Sequence, residues 1–360
     1  SITSQNIDSG KDQILLHSGG PITDLSKRSF LPSLDSIRFL FFEPHNESTI
    51  VHRSPLAGEV TLGKSPPLIL LKQSFLDDRW VTDNEYRPTT LQEALDIISQ
   101  FEIKIEEHNF SITPGGFAGI LGYDLGRWSN EIRLENTPDP GTLLGVIWRT
   151  DAWWVHERQT NELQVLAIDN HPWLKNKHPD LSIPLGYGNL KPRVPESESD
   201  SSHAEKVERI RNSIRGGHLY QLNYGRLWKG EMEGNPWESF LRMTDTNPAP
   251  FSSWLHVADY GWAVSSASPE RLIKIQDNIV STRPIKGTRA RGITEEEDLA
   301  LRVEMASSTK EMAEHLMLVD LERHDLSTVC KDRTVHWSDC RVEALANVQH
   351  LVSGVQGQIS

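Results

Sequence analysis

Cysteine is scarce: the 360 residues contain two, Cys330 and Cys340. Two thiols without CxxC spacing are too few for a disulfide framework and fit a reducing compartment. Long hydrophobic runs are missing as well; none approaches the ~18 residues of a membrane-crossing helix. The first thirteen residues are mostly polar and unlike a secretory signal, so a cytoplasmic location is expected. Positive charge is in deficit, with 37 Lys and Arg against 50 Asp and Glu and a net charge of −13. That balance disfavours nonspecific binding to nucleic acid or anionic membrane, but it leaves room for a locally basic pocket. With 37% hydrophobic and 24% charged residues, a sizeable core is expected and global disorder is not. The length allows two or three domains or one large α/β unit. The chain begins at Ser1 rather than Met, so its true N-terminus is expected to be processed or absent.

Residues 1–12 read as a loose arm, Ile14–Gly20 as a strand entering a turn, and Ile37–Phe42 as a buried strand. Thr90 and Glu93 form a capping box ahead of a helix striped by Leu91, Leu95, Ile98 and Ile105. GGFAGILGYDLGR, residues 115–127, lacks both the GKS/GKT ending and GxGxxG, so strand packing and turns are preferred to a phosphate or dinucleotide loop. Residues 143–156 and 162–168 resemble paired strands whose tryptophans belong to a core. The Pro-, Ser- and acid-rich stretch 184–202 separates a β-rich region, 1–183, from a second region, 203–360. Ser202 and Glu205 open an amphipathic helix with Val207, Ile210 and Ile214 on one side, stopped by Gly216 and Gly217. Residues 218–228 are a strand candidate, and Asn235 caps a helix to about 243. Thr294 with Glu297 and Ser308 with Glu311 are further capping boxes. The second opens a helix striped by Met312, Leu316 and Val319. Neighbours on a helix diverge, so Glu314 and His315 are not a shared metal pair, but a lone carboxylate there suits Mg²⁺. VQHLVSGVQGQIS reads as one alternating strand that stops abruptly and leaves an unfinished sheet edge, so the chain is expected to be a fragment.

The chain is organised around WAVSSASPERLIKIQDNIVSTRPIKGTRARG, residues 262–292. Apolar residues at 272, 273 and 275, the turn cluster Gln276, Asp277 and Asn278, and then Ile279 and Val280 predict a hairpin. Glu270 and Lys286 lie beyond its open ends and are expected to face one cleft. Pro284 fixes φ, and Gly287 permits close backbone approach. Spacing leaves two readings open: a surface ion pair, or a nucleophilic lysine beside a proton-delivering acid.

GGHLYQLNYGRL, NPAPFSSWL, SASPERL, RPIKGTRARG and VQHLVSGVQG, with AEHLMLVDLERHDLSTVC, resemble in order the chorismate-utilising enzymes. These include anthranilate synthase component I, aminodeoxychorismate synthase component I, and the isochorismate and salicylate synthases. HSG at 17–19 and GYDLGR at 122–127 extend the resemblance to about residue 14. Lysine in PIKGT, where anthranilate synthases usually carry alanine, resembles the aminodeoxychorismate synthases.

The resemblance implies an α+β fold: two large, mostly antiparallel sheets stacked face to face, with helices outside and both halves contributing strands. It implies that chorismate and ammonia form 4-amino-4-deoxychorismate for p-aminobenzoate and folate synthesis, with ammonia from a separate glutamine amidotransferase. Lys286 matches the nucleophile, Glu270 the general acid and Glu314 a Mg²⁺ ligand. Gly287, Thr288 and His350 match substrate-orienting positions, although His350 also reads as a hydrogen-bonded structural histidine. Ser18, Pro250, Phe251 and Ser252 match a tryptophan-binding turn, or equally a turn packed on a proline corner. DLERHD departs from DLxRND at His324, and Ser327 and Thr328 replace Gly-Arg. The family's GGSxTGAPK loop, GYxG segment, IRT strand and late acidic helix are not in this sequence, so an incomplete site is expected. Anthranilate synthesis and a noncatalytic tryptophan- or partner-binding role are the alternatives.

Overall fold

Strong β-formers with period-two burial build two large antiparallel sheets. The structure, a computed structural model, describes residues 11–45, 53–54, 58–59, 61–62, 65–104, 112–129, 132–133, 137–175, 189–192, 198–219, 221–338 and 340–360. The first sheet runs Glu162–Ala167, Ala152–Glu157, Arg28–Pro32, Gln13–His17, Phe251–Val257 and Trp262–Ser268. The second runs Arg79–Tyr86, Ile69–Leu76, Ile37–Phe42, Leu143–Thr150 and Gly116–Leu121. Among the described residues the α-helices are α1 (Leu91–Ser99), α2 (Asp200–Arg215), α3 (Pro236–Thr246), α4 (Glu295–Ser307) and α5 (Thr309–Ser327).

The two sheets stack face to face. Ile14, Val155 and Leu255 of the first meet Leu40, Val146 and Trp148 of the second in one buried cluster. Ala94 and Ile98 of α1 cover the second sheet's outer face against Phe39 and Phe41. Trp237 and Phe240 of α3 cover the first sheet's outer face against Leu15, Trp154 and Trp254. This is the expected α+β sandwich with helices outside, and its first sheet takes strands from both halves of the chain. Inside the sandwich lies a charge that the pattern IRFLFF did not single out. Arg38 is fully buried, donates to Asp12 at 2.7 Å and to Gln73 at 2.8 Å, pairs with Asp259, and lies 4.4 Å from the Trp80 ring.

Several sequence expectations change. The stretch 143–156 is not one strand: it breaks at Asp151 and changes sheet, with Ser33 Oγ accepting from the N–H groups of Asp151 and Ala152 at 3.2 and 3.1 Å. Ala152–Glu157 does pair with Glu162–Ala167, and Trp148, Trp153 and Trp154 are core residues. α2 starts at Asp200 rather than after Ser202, because Ser199 accepts from the Ser202 N–H. Residues 189–192 of the expected linker pair with Gly230–Glu233. Residues 184–188 and 193–197 of that linker, residues 1–10 of the arm, Ile105 and Tyr220 lie outside the described residues. The remainder of 218–228 is not a strand; Tyr224 and Arg226 bond instead to Glu198 and Asp200 at the start of α2.

The glycine-rich stretch is a strand and a 3₁₀ turn, Tyr123–Trp128. A Cβ on Gly119 would come 2.2 Å from Val146 O, so glycine allows the two strands to approach. The arginine that ends the stretch, Arg127, forms a buried pair with Glu43.

Two smaller sheets carry the second half. One runs Lys274–Gln276, Ile279–Thr282, Val355–Gln358 and His336–Trp337; the other runs Ile285–Ala290, Val348–Val352 and Arg341–Ala344. The final residues are therefore two strands separated by Ser353 and Gly354, each flanked on both sides by a partner. The single unfinished edge read from alternation is replaced by two interior strands. α5 buries His315, Val319 and Leu326, the last two against Val280, Cys330 and Val355. Leu316, placed in the stripe by sequence, is 42% exposed.

Candidate active site

The predicted hairpin forms, and its turn residues Asp277 and Asn278 take left-handed φ values of 52° and 61°. That is the backbone a two-residue type I′ turn requires. Glu270 lies just ahead of this hairpin. Its Oε1 accepts from the Ile285 N–H at 2.9 Å, docking the carboxylate on the first residue of the strand that carries Lys286.

That strand is interrupted by a bulge. Its register against Val348–Val352 slips between Lys286 and Thr288, and Gly287 sits in the slip with φ at 73°. An extra residue in one strand reverses which side chains share a face. Lys286 is paired with Leu351 and Thr288 with His350, so the two side chains occupy opposite faces. His350 Nδ1 lies 3.0 Å from Thr288 Oγ1, and the buried Nε2 has no hydrogen-bond partner among the described residues. Glu270, Ile285 and His350 line one small cleft with Arg271, Arg283 and Glu343. Lys286 is not in that lining. Glu270 and Lys286, expected to face one cleft, are brought close through Ile285, whose N–H holds the Glu270 carboxylate one residue before the lysine.

Gly287→Ala is expected to destabilise the fold by about 1–2 kcal/mol, the cost of a left-handed non-glycine residue. The new Cβ would also sit 3.2 Å from Leu351 Cδ1 and 3.3 Å from Glu311 Oε2. Chemical denaturation measures the change, and an unaltered midpoint would show that the bulge relaxes.

α5 supplies the acids on the lysine side. The return leg of the Ser308 capping box is diverted: Ser308 Oγ accepts from the Glu311 N–H, but the Glu311 carboxylate turns to Arg289 and the Gly287 bulge. Glu314 is half exposed, and its recorded contact is Lys310 at 3.8 Å on the same helix. His315 points inward, 2.7 Å from Ser353 Oγ, and burial pushes its pKa down. Among the described residues no group of three or more His, Cys, Asp or Glu could hold a metal ion. A loosely engaged carboxylate such as Glu314 fits Mg²⁺ as one protein donor, since this ion keeps several waters and takes one or two carboxylates.

Ser18, Pro250, Phe251 and Ser252 are brought together on a separate cavity of about 600 Å³, with Phe30, Arg28 and Arg271. Ser18 Oγ lies 2.6 Å from Arg28 O and 3.0 Å from Pro250 O. The turn is thus packed on the proline segment and also borders a space large enough for a small ligand.

The family described as chorismate binding enzyme matches residues 74–360. Anthranilate synthase component 1 of Saccharolobus solfataricus is 34% identical over 68% of this chain and 56% of its own length. Aminodeoxychorismate synthase component 1 of Escherichia coli is 28% identical over 88% of this chain and 68% of its own. The Bacillus subtilis protein of the same name is 30% identical over 70% of this chain and 56% of its own. The chain thus spans between about half and two thirds of the length of these relatives. Crystalline anthranilate synthase component I from Streptococcus pneumoniae shares the fold, with a TM-score of 0.62 at 23% identity over 90% of this chain and 69% of that one.

Proposed function

Because the chain belongs to the chorismate binding enzyme family, we propose that it carries the chorismate-aminating centre of an aminodeoxychorismate synthase component 1. Relatives named for amination at C4 and for anthranilate synthesis match at similar identity, 28–34%. The observation that carries the choice is Lys286 itself, the residue in PIKGT that resembles the aminating members. It follows directly the residue whose N–H holds the Glu270 carboxylate.

In this reading the neutral Lys286 amine attacks C2 of chorismate as the double bond shifts and the C4–oxygen bond breaks. Glu270 delivers a proton to the leaving oxygen, which departs as water, because hydroxide is a poor leaving group. Ammonia then adds at C4 with loss of a proton, and the reverse bond shift expels the lysine, so two displacements give retention. Thr288 and His350 are the residues that would orient the ring, the His350 imidazole being fixed by its 3.0 Å contact with Thr288 Oγ1. Glu314 is the residue that would hold Mg²⁺, which when bound clamps a substrate carboxylate. The ammonia comes from a separate glutamine amidotransferase. The cavity at Ser18, Pro250, Phe251 and Ser252 is the candidate tryptophan site.

The gene product that carries these residues, given chorismate, Mg²⁺ and ammonium, is expected to release 4-amino-4-deoxychorismate, resolved by chromatography. Anthranilate with pyruvate would overturn the assignment in favour of anthranilate synthase. Tight tryptophan binding with no turnover of chorismate would favour a noncatalytic role.

A further inference from the structure

The chain turns a corner between its two smaller sheets. Thr282 ends a strand of one, Ile285 begins a strand of the other, and Arg283 and Pro284 join them. Pro284 has a fixed φ and no N–H to donate, so neighbouring groups must hold the corner. Its carbonyl accepts from the Ser353 N–H at 3.4 Å, where the last two strands cross between the same sheets. The Arg283 side chain is 8% exposed and reaches two acids distant in sequence. It donates to Asp24 Oδ2 at 3.2 Å, on the loop after Gln13–His17, and pairs with Glu343. Glu343 stands opposite His350 on the adjacent strand.

Glu270 is docked on this same corner. Its carboxylate takes the Ile285 N–H at 2.9 Å, and the next side chain, Arg271, donates to Ser281 Oγ at 3.2 Å. Ser268 Oγ folds the strap back on itself, accepting from the Glu270 N–H at 3.3 Å and donating to the Glu270 carbonyl at 3.1 Å. The two side chains thus grip residues on either side of Arg283, and the place of the carboxylate follows the place of the corner. Arg271 and Arg283 line the small cleft together with Glu270 and His350. Two guanidiniums in one cleft repel each other, and Asp24 and Glu343 supply the opposite charge.

We propose that Arg283 is a positioning residue for Glu270: by holding Asp24 and Glu343 at once, it fixes the corner on which the Glu270 carboxylate docks. The inference rests on the reading of Glu270 as the acid of the amination. Arg283 exchanges no proton. Its planar fork sends one nitrogen to Asp24 and the other to Glu343, a division that a point charge on a flexible stem does not reproduce. The loop of the first half of the chain thereby helps to aim an acid of the second half.

Arg283→Ala is expected to lower kcat for amination about 30-fold at a KM within about twofold, because a misplacement of about 1 Å at a reacting group costs up to about 100-fold. In a Glu270→Gln background the same substitution should cost no more than about twofold further, since the acid it aims is already gone. Arg283→Lys keeps the charge without the fork and should recover only part of the rate. Asp24 is 69% exposed, so Asp24→Asn should lower kcat about threefold with an unchanged melting temperature. Amide hydrogen exchange reads the docking without turnover. The Ile285 amide should exchange about tenfold faster in Arg283→Ala, as in Glu270→Ala, while the amides of Ile279–Thr282 keep their rates. If the wild type does not turn over chorismate, the amination reading fails, and the Ile285 amide still decides whether Arg283 places Glu270. Equal losses of kcat from Arg283→Ala in the wild-type and Glu270→Gln backgrounds, an unmoved Ile285 amide, or a general rise in exchange through both small sheets overturns the proposal.

Discussion

Lys286→Ala is expected to lower amination of chorismate by about 10³-fold or more, because it removes the nucleophile that splits one displacement into two. The folded state should be little affected. The backbone pairing of residue 286 with Leu351 survives the substitution, and the bulge is carried by Gly287 rather than by the lysine. A large loss of turnover with an unchanged melting temperature is therefore the expected pair of results. Diversion of chorismate to a different product would also be consistent, since the variant restores the alanine of the PIAGT form. Unchanged 4-amino-4-deoxychorismate formation would remove Lys286 from the mechanism.

Arg38→Ala should destabilise the protein by about 3–5 kcal/mol, among the largest effects a single substitution produces. Its guanidinium, fully buried in the sandwich, bonds Asp12, Asp259 and Gln73. Asp12 in turn accepts from the Trp148 indole at 2.7 Å and from the Ala258 N–H at 3.0 Å. Truncation leaves the buried Asp12 charge without its cation while those other groups hold it in place. The cost falls on the union of the two sheets, because Ile37–Phe42 and Leu143–Thr150 belong to one and Ala258 follows a strand of the other. Equilibrium denaturation of wild type and variant measures it; a change below about 1 kcal/mol, the scale of an exposed pair, would show that water reaches the site.

Periodicity and turn chemistry made much of the architecture legible. The Thr90, Thr294 and Ser308 caps, the Asp277–Asn278 turn and the Ala152–Glu157 hairpin follow from short-range rules, and the structure realises each. What escaped depends on partners distant in sequence. Arg38 sits in an apolar run, and nothing local says that Asp12 and Asp259 converge on it. The change of sheet at Asp151 depends on Ser33, more than a hundred residues earlier. At the candidate site the motif located Glu270, Lys286, Thr288 and His350, and Gly287 could be read as a permissive backbone position. The face taken by Lys286 could not, because a one-residue bulge reverses it. Glu311 was hidden for a related reason: it looked like a cap partner until packing aimed it at Gly287.

The central claim is that Lys286 bonds to chorismate on the way to a C4 amine. Mass spectrometry of the gene product, quenched after mixing with chorismate and Mg²⁺ but no ammonia, tests it most directly. The predicted result is a peptide containing Lys286 that is heavier by chorismate less one water, with the adduct lost on adding ammonium as 4-amino-4-deoxychorismate appears. An unmodified Lys286 peptide, with ammonium-dependent conversion of chorismate to anthranilate and pyruvate, would contradict it.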